Sequence, residues 1–391
     1  MTLDVAAAQA ALREASLDGW LLYDFRGQNE IAAGLAGLDS SRKATRRWFW
    51  FVPAEGKPTA LVSSVEEHVL EVPGTRIVYR GWRELEAALA ETLAGSRRVA
   101  MEVSPRAAVP VVGRVDWGTV ELVRSFGVEV VSSADLVQLF EARWTPAQVA
   151  LHERAAGGVL QAKDALFAWL GSALGAATES EAQGFLLERL SALGLETRYP
   201  PCVAIDEHAA DPHFETGSGP DDRTVGPGSL VLVDVWAKVA GEAEAVYGDI
   251  TWMAWAGPSP PQRVREIWAA VSAARDAAFE TVEEAVAAGR PLHGFEVDRA
   301  ARGVIEAAGY GEHIRHRTGH SLGTEVHGNG VNMDDLETRD DRLVIPGLGF
   351  TIEPGVYLPG ELGVRSEVNV VVEPGGARLT TDVQRELVLL G

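Results

Sequence analysis

Five residues of this chain could together hold divalent cations. They are four carboxylates and one imidazole, and each lies in a segment that predicts a strand or a structured loop. Oxygen and imidazole ligands suit hard or borderline divalent cations. A single acid in an apolar strand is usually satisfied by an ion pair, whereas four acids in two matching pairs favour a site for two metal ions. The candidate ligands are Asp234, Asp249, His320, Glu353 and Glu367.

The four acids occur in two segments of similar design. A Pro-Gly pair precedes the apolar run that contains Asp234, and another Pro-Gly pair precedes the run that contains Glu353. A second acid follows each of them at a similar interval, at Asp249 and at Glu367, the latter within a single predicted strand over Gly363–Val371. Alternate residues of a strand face the same way, so each acid can enter a shared cavity while its neighbours pack behind it. The repetition predicts two related halves that close on one site.

Histidine is concentrated around one of these candidates. His316, His320 and His327 lie close together in a segment that also contains several glycines. A lone histidine is usually a packed or surface residue, but a cluster interleaved with glycine, which lets backbone approach a ligand closely, is typical of a site. His213 is a fourth candidate in a separate segment.

Composition and charge exclude several classes of protein. The chain has 391 residues, 46% of them hydrophobic, and a formal net charge of −21 at pH 7. A nucleic-acid backbone or an anionic membrane would require a basic surface, so neither is expected as a partner. The single cysteine excludes an intrachain disulfide and a cysteine-based zinc site.

Neither a targeting segment nor a membrane span is expected. Residues 1–20 predict an amphipathic helix rather than a signal peptide. The chain also contains no uncharged apolar run long enough to cross a bilayer. These features predict a cytoplasmic location.

Two domains are predicted. Residues 1–143 alternate short β-like runs with helical stretches, as a small α/β domain does. A second domain is predicted over 144–391, because Thr145 can cap a helix and Pro146 suits its first turn. The strands predicted in the first domain are Gly19–Tyr23, Arg47–Val52, Thr59–Ser63, Arg76–Arg80, Arg98–Val103 and Val128–Ser132.

Four helices are predicted in the second domain. The first begins at the Thr-Pro pair and ends near Leu170. Thr178 and Glu181 form a capping box that opens the second. The other two are predicted over 261–288 and 296–308, each followed by glycine.

Two charged segments are predicted to be solvated. Asp334–Arg342 is dense in charge and predicts an exposed loop. A basic cluster precedes the aromatic run 48–50 and is expected to flank a strand edge rather than to bind a ligand. The cluster consists of Arg42, Lys43, Arg46 and Arg47.

With the candidate ligands in this order, the chain resembles the pita-bread metallopeptidases, the family of methionine aminopeptidase, aminopeptidase P, prolidase and creatinase. That family carries two Asp, one His and two Glu as a di-metal site. The matching motifs are Y-G-D-I-T at Asp249, H-R-T-G-H-S-L-G at His320, T-I-E-P-G-V-Y at Glu353 and G-V-R-S-E-V at Glu367. The likeness extends from about residue 145 to residue 391 and is strongest to the proline-specific branch.

The resemblance implies an α/β fold class. A creatinase-like N-terminal α/β domain would occupy 1–143, and a pita-bread catalytic domain of α+β type with pseudo-twofold symmetry would occupy 144–391. The N-terminal likeness is one of outline only. In this family the N-terminal domain commonly forms a dimer contact and a wall of the active site. A homodimer is therefore implied.

The resemblance also implies a role for each ligand. Asp234 would chelate one metal ion, Asp249 and Glu367 would bridge two, and His320 and Glu353 would hold the other. A water between the two cations would be the nucleophile, because cations lower the pKa of water. Glu353 would be the general base. Two ions per chain are implied, with Mn²⁺ expected and Co²⁺ or Zn²⁺ as alternatives.

Four further residues resemble the family's substrate-facing side chains. His213, His316 and His327 would hold the scissile carbonyl or the proline carboxylate and stabilise the tetrahedral intermediate. Arg365 resembles the arginine that precedes the last ligand and orients either the acids or the substrate carboxylate. These four, with Glu353, are the catalytic residues that the resemblance implies.

Two departures from the family pattern leave every ligand in place. The two Asp ligands are usually closer in sequence, and Ala240–Ala245 predicts an extension of the hairpin between them. Ser366 and Val368 flank the last Glu ligand, where the family usually has Ile and Asp. The extension could reshape the pocket rim and thereby the range of substrates.

The implied function is that of a metal-dependent exopeptidase that cleaves the bond before proline. Prolidase acts on Xaa-Pro dipeptides and aminopeptidase P on longer peptides, and both share these residues. The chain is shorter than many members of either group, which favours dipeptides. A metal-free creatine hydrolase is disfavoured because creatinase lacks the full ligand set. A pita-bread domain without activity, used as a binding module, is the alternative of a different class, and the complete ligand set disfavours it.

Overall fold

The structure is a computed structural model that describes residues 2–38, 44–217 and 221–391. The chain forms two compact units, Met1–Ala142 and Arg143–Gly391. Arg42 and Lys43 of the basic cluster lie outside the described residues. In the described ranges, no helix combines the length and the apolar character that a membrane span requires.

The first unit contains a mixed six-stranded sheet in the order β4-β3-β2-β1-β5-β6. β2 runs antiparallel to both of its neighbours, and the other pairs are parallel. All six predicted strands are present with small shifts at their ends. The elements are α1 (Val5–Glu14), β1 (Gly19–Asp24), α2 (Glu30–Leu35), β2 (Trp48–Pro53), β3 (Thr59–Ser63), β4 (Thr75–Tyr79), α3 (Trp82–Thr92), β5 (Arg98–Met101), α4 (Trp117–Ser125), β6 (Glu129–Ser132) and α5 (Ala134–Val137).

Apolar clusters cover both faces of this sheet. Trp20 and Leu22 of β1 pack with α1 and α2, whereas Leu21 and Tyr23 pack with α3 and α4. A strand buried on both faces needs apolar residues at consecutive positions. This double burial explains why β1 and β2 are continuous apolar runs.

Glu102 follows β5 and is fully buried. Its carboxylate accepts hydrogen bonds from Trp20 Nε1 at 2.6 Å, Asn29 Nδ2 at 2.8 Å and Ser133 Oγ at 3.0 Å. Burial raises the pKa of Glu102. Because both carboxylate oxygens are partnered, the group stabilises the packing of the sheet against its helices.

The second unit is built from long helices and short sheets. β9 pairs with β7, β8 and β10, and β10 also pairs with β16. The other sheets are β11-β14-β15 and β12-β13. The elements are α6 (Pro146–Ser172), α7 (Glu179–Ala192), β7 (Leu195–Glu196), β8 (Cys202–Ile205), β9 (Leu230–Val239), β10 (Gly248–Ala256), α8 (Gln262–Ala287), α9 (Gly294–Ala307), β11 (Gly349–Ile352), β12 (Gly355–Leu358), β13 (Leu362–Arg365), β14 (Val368–Glu373), β15 (Gly376–Leu379) and β16 (Val388–Leu390).

The predicted helix starts are confirmed. Thr145 Oγ1 accepts from the backbone N–H of Gln148, whose side chain accepts in return from Thr145 N. Thr178 and Glu181 form the same reciprocal pair at the start of α7. Such capping satisfies backbone donors that have no partner within the helix.

The two acid-bearing segments form antiparallel pairs. In β9–β10, Asp234 lies opposite Thr251, and Asp249 lies opposite Trp236. In β11–β14, the last pair is Ile352 with Val368, so Glu353 and Glu367 lie just beyond it on either strand. Each pair of strands therefore delivers two acids to one place.

The prediction of a single strand over Gly363–Val371 is wrong, because two strands, β13 and β14, occupy this range. β13 pairs with β12, and β14 pairs with β11. Between them Ser366 Oγ accepts from Arg275 Nη1 at 2.6 Å, and Glu367 N donates to the carbonyl of Thr251 at 3.2 Å. The chain changes partner strand here, and this change places the Glu367 carboxylate at the break.

The exposed loop predicted over Asp334–Arg342 is also wrong at key positions, because Asp334, Asp340 and Arg342 are buried. Asp334 accepts from the backbone N–H groups of Leu336, Glu337 and Thr338. Asp340 pairs with Arg342 at 2.7 Å, and Arg342 also donates to two backbone carbonyls. The buried charged side chains thus form hydrogen bonds with backbone groups of a folded loop.

Removal of the Asp340 carboxylate should be strongly destabilising. In Asp340→Ala, the buried guanidinium of Arg342 loses its counter-ion, which typically costs about 3–5 kcal/mol. Glu153→Ala is the control, because Glu153 pairs with Arg378 on the surface, where one ion pair contributes at most about 1 kcal/mol. Urea unfolding should separate the two variants, and equal losses would contradict the buried role of Asp340.

Candidate metal centre and substrate pocket

All five candidate ligands line one cavity of about 730 Å³. Asp234 and Asp249 project from the β9–β10 hairpin, and His320 from the loop between α9 and β11. Glu353 follows β11, and Glu367 occupies the break between β13 and β14. Residues far apart in the chain thus meet in one place.

Three of these residues offer ligand atoms that lie within 4.8 Å of one another: Asp249, His320 and Glu367. His320 Nε2 lies 3.6 Å from Asp249 Oδ2 and 3.4 Å from Glu353 Oε1. The other ring nitrogen, Nδ1, donates to the carbonyl of Ser321 at 3.1 Å. This bond leaves Nε2 as the nitrogen directed at the carboxylates.

Asp234 is held by Arg365. The guanidinium pairs with Asp234 Oδ2, donates from Nε to Thr251 Oγ1 at 2.9 Å and from Nη1 to the Tyr357 hydroxyl at 3.3 Å. Burial raises the pKa of Asp234 to about 7, although the charge of Arg365 opposes the shift. One arginine therefore only partly compensates the buried negative charge.

Two buried carboxylate oxygens have no hydrogen-bond partner among the described residues. Asp249 Oδ1 and Glu367 Oε1 are both buried. Burial, and then the charge of Asp249, raises the pKa of Glu367 well above its usual value. Unpartnered acceptors on adjacent buried acids are costly unless a cation binds between them. This arrangement fits a metal ion.

Neighbouring side chains fix the other oxygen of Glu367 and the backbone of Asp249. Thr251 Oγ1 donates to Glu367 Oε2 at 2.8 Å. Asn369 holds the backbone of Asp249, accepting from its N–H at 3.0 Å and donating to its carbonyl at 2.5 Å. Contacts of this kind orient ligands before an ion binds.

Glu353 differs electrostatically from the other acids. Thr351 Oγ1 donates to Glu353 Oε1 at 3.1 Å. Burial alone would raise the pKa of Glu353, but the neighbouring His320, His316 and Arg365 outweigh it and lower the pKa. The carboxylate form is therefore favoured.

The three candidate substrate-facing histidines also line the cavity. His316 uses both ring nitrogens: Nδ1 donates to the carbonyl of Arg317 at 2.7 Å, and Nε2 accepts from the Tyr357 hydroxyl at 2.6 Å. The ring of His327 stands edge-on to that of His320, with centroids 4.4 Å apart. The positive charge of His320, together with burial, lowers the pKa of His327 to about 3. His213 is exposed at the cavity surface.

Several residues that line the cavity were not predicted from the sequence. Arg317 is a partly exposed cation whose Nη1 lies 3.3 Å from Glu337 Oε2. The folded loop 334–342 supplies Glu337, and Asp298 ties this loop to the histidine segment by accepting from Asp335 N and Thr318 N. The burial of charged residues in the loop carried no sequence signal. An apolar wall completes the cavity, formed by Tyr199, Pro200, Pro201, Phe214, Trp236 and Val326.

The chain is similar to known peptidases. The sequence model of metallopeptidase family M24 matches residues 150–374. A Xaa-Pro dipeptidase of Lactobacillus delbrueckii subsp. lactis is 33% identical over 201 residues, which are 50% of this chain and 48% of that protein. The chain spans about half the length of the curated relatives it matches.

Solved structures share the fold along the whole chain. Dipeptidase PepE from Mycobacterium ulcerans superimposes with a TM-score of 0.75 at 24% identity, covering 100% of both chains. A dipeptidase from Pyrococcus horikoshii OT3 gives a TM-score of 0.66 at 26% identity over 99% of each chain. The predicted fold class, an α/β domain followed by a pita-bread domain, is confirmed.

The acid cluster should destabilise the protein when no cation is bound. We expect metal-free Glu367→Gln to be more stable than the metal-free wild type by about 1–3 kcal/mol, because it removes a buried acid with an unpartnered oxygen. With Mn²⁺ present the order should reverse, since only the wild type gains the full stabilisation from binding. Thermal unfolding with chelator and with Mn²⁺ measures both effects.

Glu102→Gln provides the matched control, because that buried carboxylate has a partner on each oxygen. Its substitution should lower stability with or without Mn²⁺. Equal stability of the metal-free wild type and Glu367→Gln would show that the cluster carries no such cost.

Proposed function

Since this chain belongs to metallopeptidase family M24, we propose that it is a metal-dependent exopeptidase that hydrolyses the bond before proline, with Xaa-Pro dipeptides as its main substrates. The observation that carries the proposal is the convergence of the five candidate ligands on one cavity, two of them with unpartnered buried oxygens. The names of the similar proteins, a Xaa-Pro dipeptidase and two dipeptidases, support the substrate class.

Two divalent cations per chain are proposed. Asp234 would hold one, Asp249 and Glu367 would bridge both, and His320 and Glu353 would hold the other. Mn²⁺ is the proposed metal because four of the five ligands are carboxylates, and Co²⁺ or Zn²⁺ could replace it. The cations would lower the pKa of a water molecule and polarise the scissile carbonyl.

The chain's own residues would move protons and orient the substrate. Glu353, kept ionised by its neighbours, would accept a proton from water and pass it to the leaving imino nitrogen of proline. His327 lies edge-on to the His320 ring and lines the cavity, so it would donate one N–H to the carbonyl oxygen as charge develops there. His213 would contact the substrate from the segment between β8 and β9.

Arg365 and His316 are proposed as orienting residues. Arg365 contacts Asp234, and Tyr357 lies between Arg365 and His316. This hydrogen-bonded chain joins the first acid ligand to the histidine segment. A substitution of Arg365, Tyr357 or His316 would therefore alter the position of Asp234.

Arg317 supports the preference for dipeptides. It is a partly exposed cation within the cavity, and a guanidinium can bind a carboxylate through two parallel hydrogen bonds. In a Xaa-Pro dipeptide the carboxylate directly follows the scissile bond, whereas in a longer peptide an amide takes its place. An aminopeptidase P acting on longer peptides is the alternative within the family.

Three further predictions concern the whole protein. A homodimer, a role for the N-terminal α/β domain as a dimer contact and active-site wall, and a cytoplasmic location all stay predictions. A binding module without activity is disfavoured, because no candidate ligand is missing. Neither nucleic acid nor membrane is proposed as a partner, since the net charge is −21.

Exhaustive chelation should abolish hydrolysis of a Xaa-Pro dipeptide, and added Mn²⁺ should restore it. The measurement is release of proline before and after reconstitution, with Xaa-Pro-Yaa tripeptides and Xaa-Ala dipeptides assayed in parallel. Full activity of the metal-free protein would reject the metal assignment. Faster cleavage of tripeptides would favour the aminopeptidase P alternative.

Replacement of Arg317 tests recognition of the substrate carboxylate. In Arg317→Gln, kcat/KM for a Xaa-Pro dipeptide should fall about ten- to hundredfold, the usual range for one charge-assisted contact. Activity on the corresponding Xaa-Pro amide, which has no carboxylate, should change little. Arg315→Gln is the control, since Arg315 is exposed two residues away and does not line the cavity. Equal losses on both substrates would refute the assignment.

A further inference from the structure

A short loop carries consecutive residues of the substrate cavity. The lining includes every residue from Pro212 to Gly217. His213 N donates to Asp211 Oδ1 at 2.9 Å, and Thr216 Oγ1 both accepts from Val203 N and donates to Val203 O. The end of the loop that carries Thr216 is thus fastened to β8.

The segment that precedes this loop in the chain, which contains Ile205 and His208, is anchored on a buried acid. Glu179, at the start of α7, has no exposed side-chain surface, and both of its oxygens lie 2.9 Å from His208 Nδ1. It also accepts from Ile205 N at 2.7 Å and Arg223 N at 3.1 Å. With four short contacts, Glu179 fixes the position and tautomer of the His208 ring, because Nδ1 must carry the hydrogen.

The segment that carries His208 is also restrained by its neighbours. Asp206 has a φ of 53°, a conformation that costs energy for a residue other than glycine. Its carboxylate accepts from Leu230 N, the first residue of β9, at 2.7 Å. Ala209 O packs so closely on Gly363 that a Cβ there would lie 1.7 Å away. This segment is therefore fixed against β9 and against β13.

The ring of His208 then meets the cavity wall. It stacks on Phe214 with ring centroids 4.4 Å apart and planes 24° from parallel. Phe214 lines the cavity next to His213, whereas His208 does not line it. The contacts therefore run from Glu179 to His208 to Phe214, and only Phe214 can touch a substrate.

We propose that His208 is a positioning residue that sets substrate affinity through Phe214. Glu179 orients the imidazole, and the imidazole supports the Phe214 ring, which shapes the side of the cavity that also presents His213. The inference rests on the function proposed above, because it concerns how tightly a Xaa-Pro substrate is held. Loss of the ring should widen the cavity beside Phe214 without disturbing the metal ligands.

Two substitutions separate the two contacts of His208. In His208→Asn the side-chain amide can still donate to Glu179, but the ring beneath Phe214 is lost. KM for a Xaa-Pro dipeptide should rise about three- to tenfold, the range expected for one aromatic contact, with kcat and the melting temperature nearly unchanged. In His208→Phe the ring remains and the donor is lost, so the melting temperature should fall while KM stays close to the wild-type value.

His293→Asn is the matched control. His293 stacks on Phe295 with centroids 5.4 Å apart and also lies at a helix start, but neither ring lines the cavity. Asparagine is itself a good helix cap. KM and the melting temperature should therefore both remain at wild-type values.

A double-substitution cycle decides whether His208 acts through Phe214. When Phe214→Ala is present, adding His208→Asn should raise KM no further. An equal additional rise in that background, or an unchanged KM in His208→Asn alone, would overturn the proposal. The variant His208→Asn is expected to fold, so the cycle does not depend on His208→Phe.

Hydrogen exchange tests the inference independently of enzymatic activity. Amide exchange over residues 211–217 should accelerate in His208→Asn and stay unchanged in His293→Asn. If the wild-type chain hydrolyses no Xaa-Pro peptide, the proposed function fails, whereas unaltered exchange over this loop in His208→Asn rejects the positioning role.

Discussion

Negative charge held away from water is the constraint around which the second unit is arranged. The carboxylates of the four acidic candidate ligands meet in one cavity, and their repulsion is opposed within the chain chiefly by Arg365, which pairs with Asp234, and by His320, which lies near Asp249 and Glu353. One guanidinium and one imidazole cannot balance four acids in a medium of low dielectric. The unpartnered oxygens are where the balance fails, and a bound cation would restore it there.

The convergence of the candidate ligands on one cavity was predictable from the sequence because these residues leave local signals. Asp234 and Asp249 interrupt apolar strands, and the same pattern returns around Glu353, so alternation and repetition are enough to connect them. The helix starts at Thr145 and Thr178 were predictable for a similar reason, since a capping box is complete within four residues. Such features depend on neighbours in sequence and not on the final fold.

Other parts of the site depend on contacts between distant segments. The strand predicted through Glu367 is two strands, because a period of two residues cannot reveal a change of partner strand. Tyr357 gains its place only when β12 brings its hydroxyl between Arg365 and His316. The charge-dense loop that presents Glu337 was expected to be exposed, because sequence alone does not show that its acids accept backbone hydrogen bonds.

Buried and exposed acids of this protein act differently. Asp298, Asp334 and Asp340 are buried and bind backbone N–H groups at short range, whereas most other acids of the chain are not buried. Dissolved ions screen exposed charges over roughly 8–10 Å but act little on buried hydrogen bonds. Rising ionic strength should therefore weaken the field that a charged peptide meets on approach and leave intact the folded loop that presents Glu337 to the cavity. The exposed acids would therefore affect how a charged peptide approaches the protein, whereas the buried acids maintain the folded loop beside the cavity.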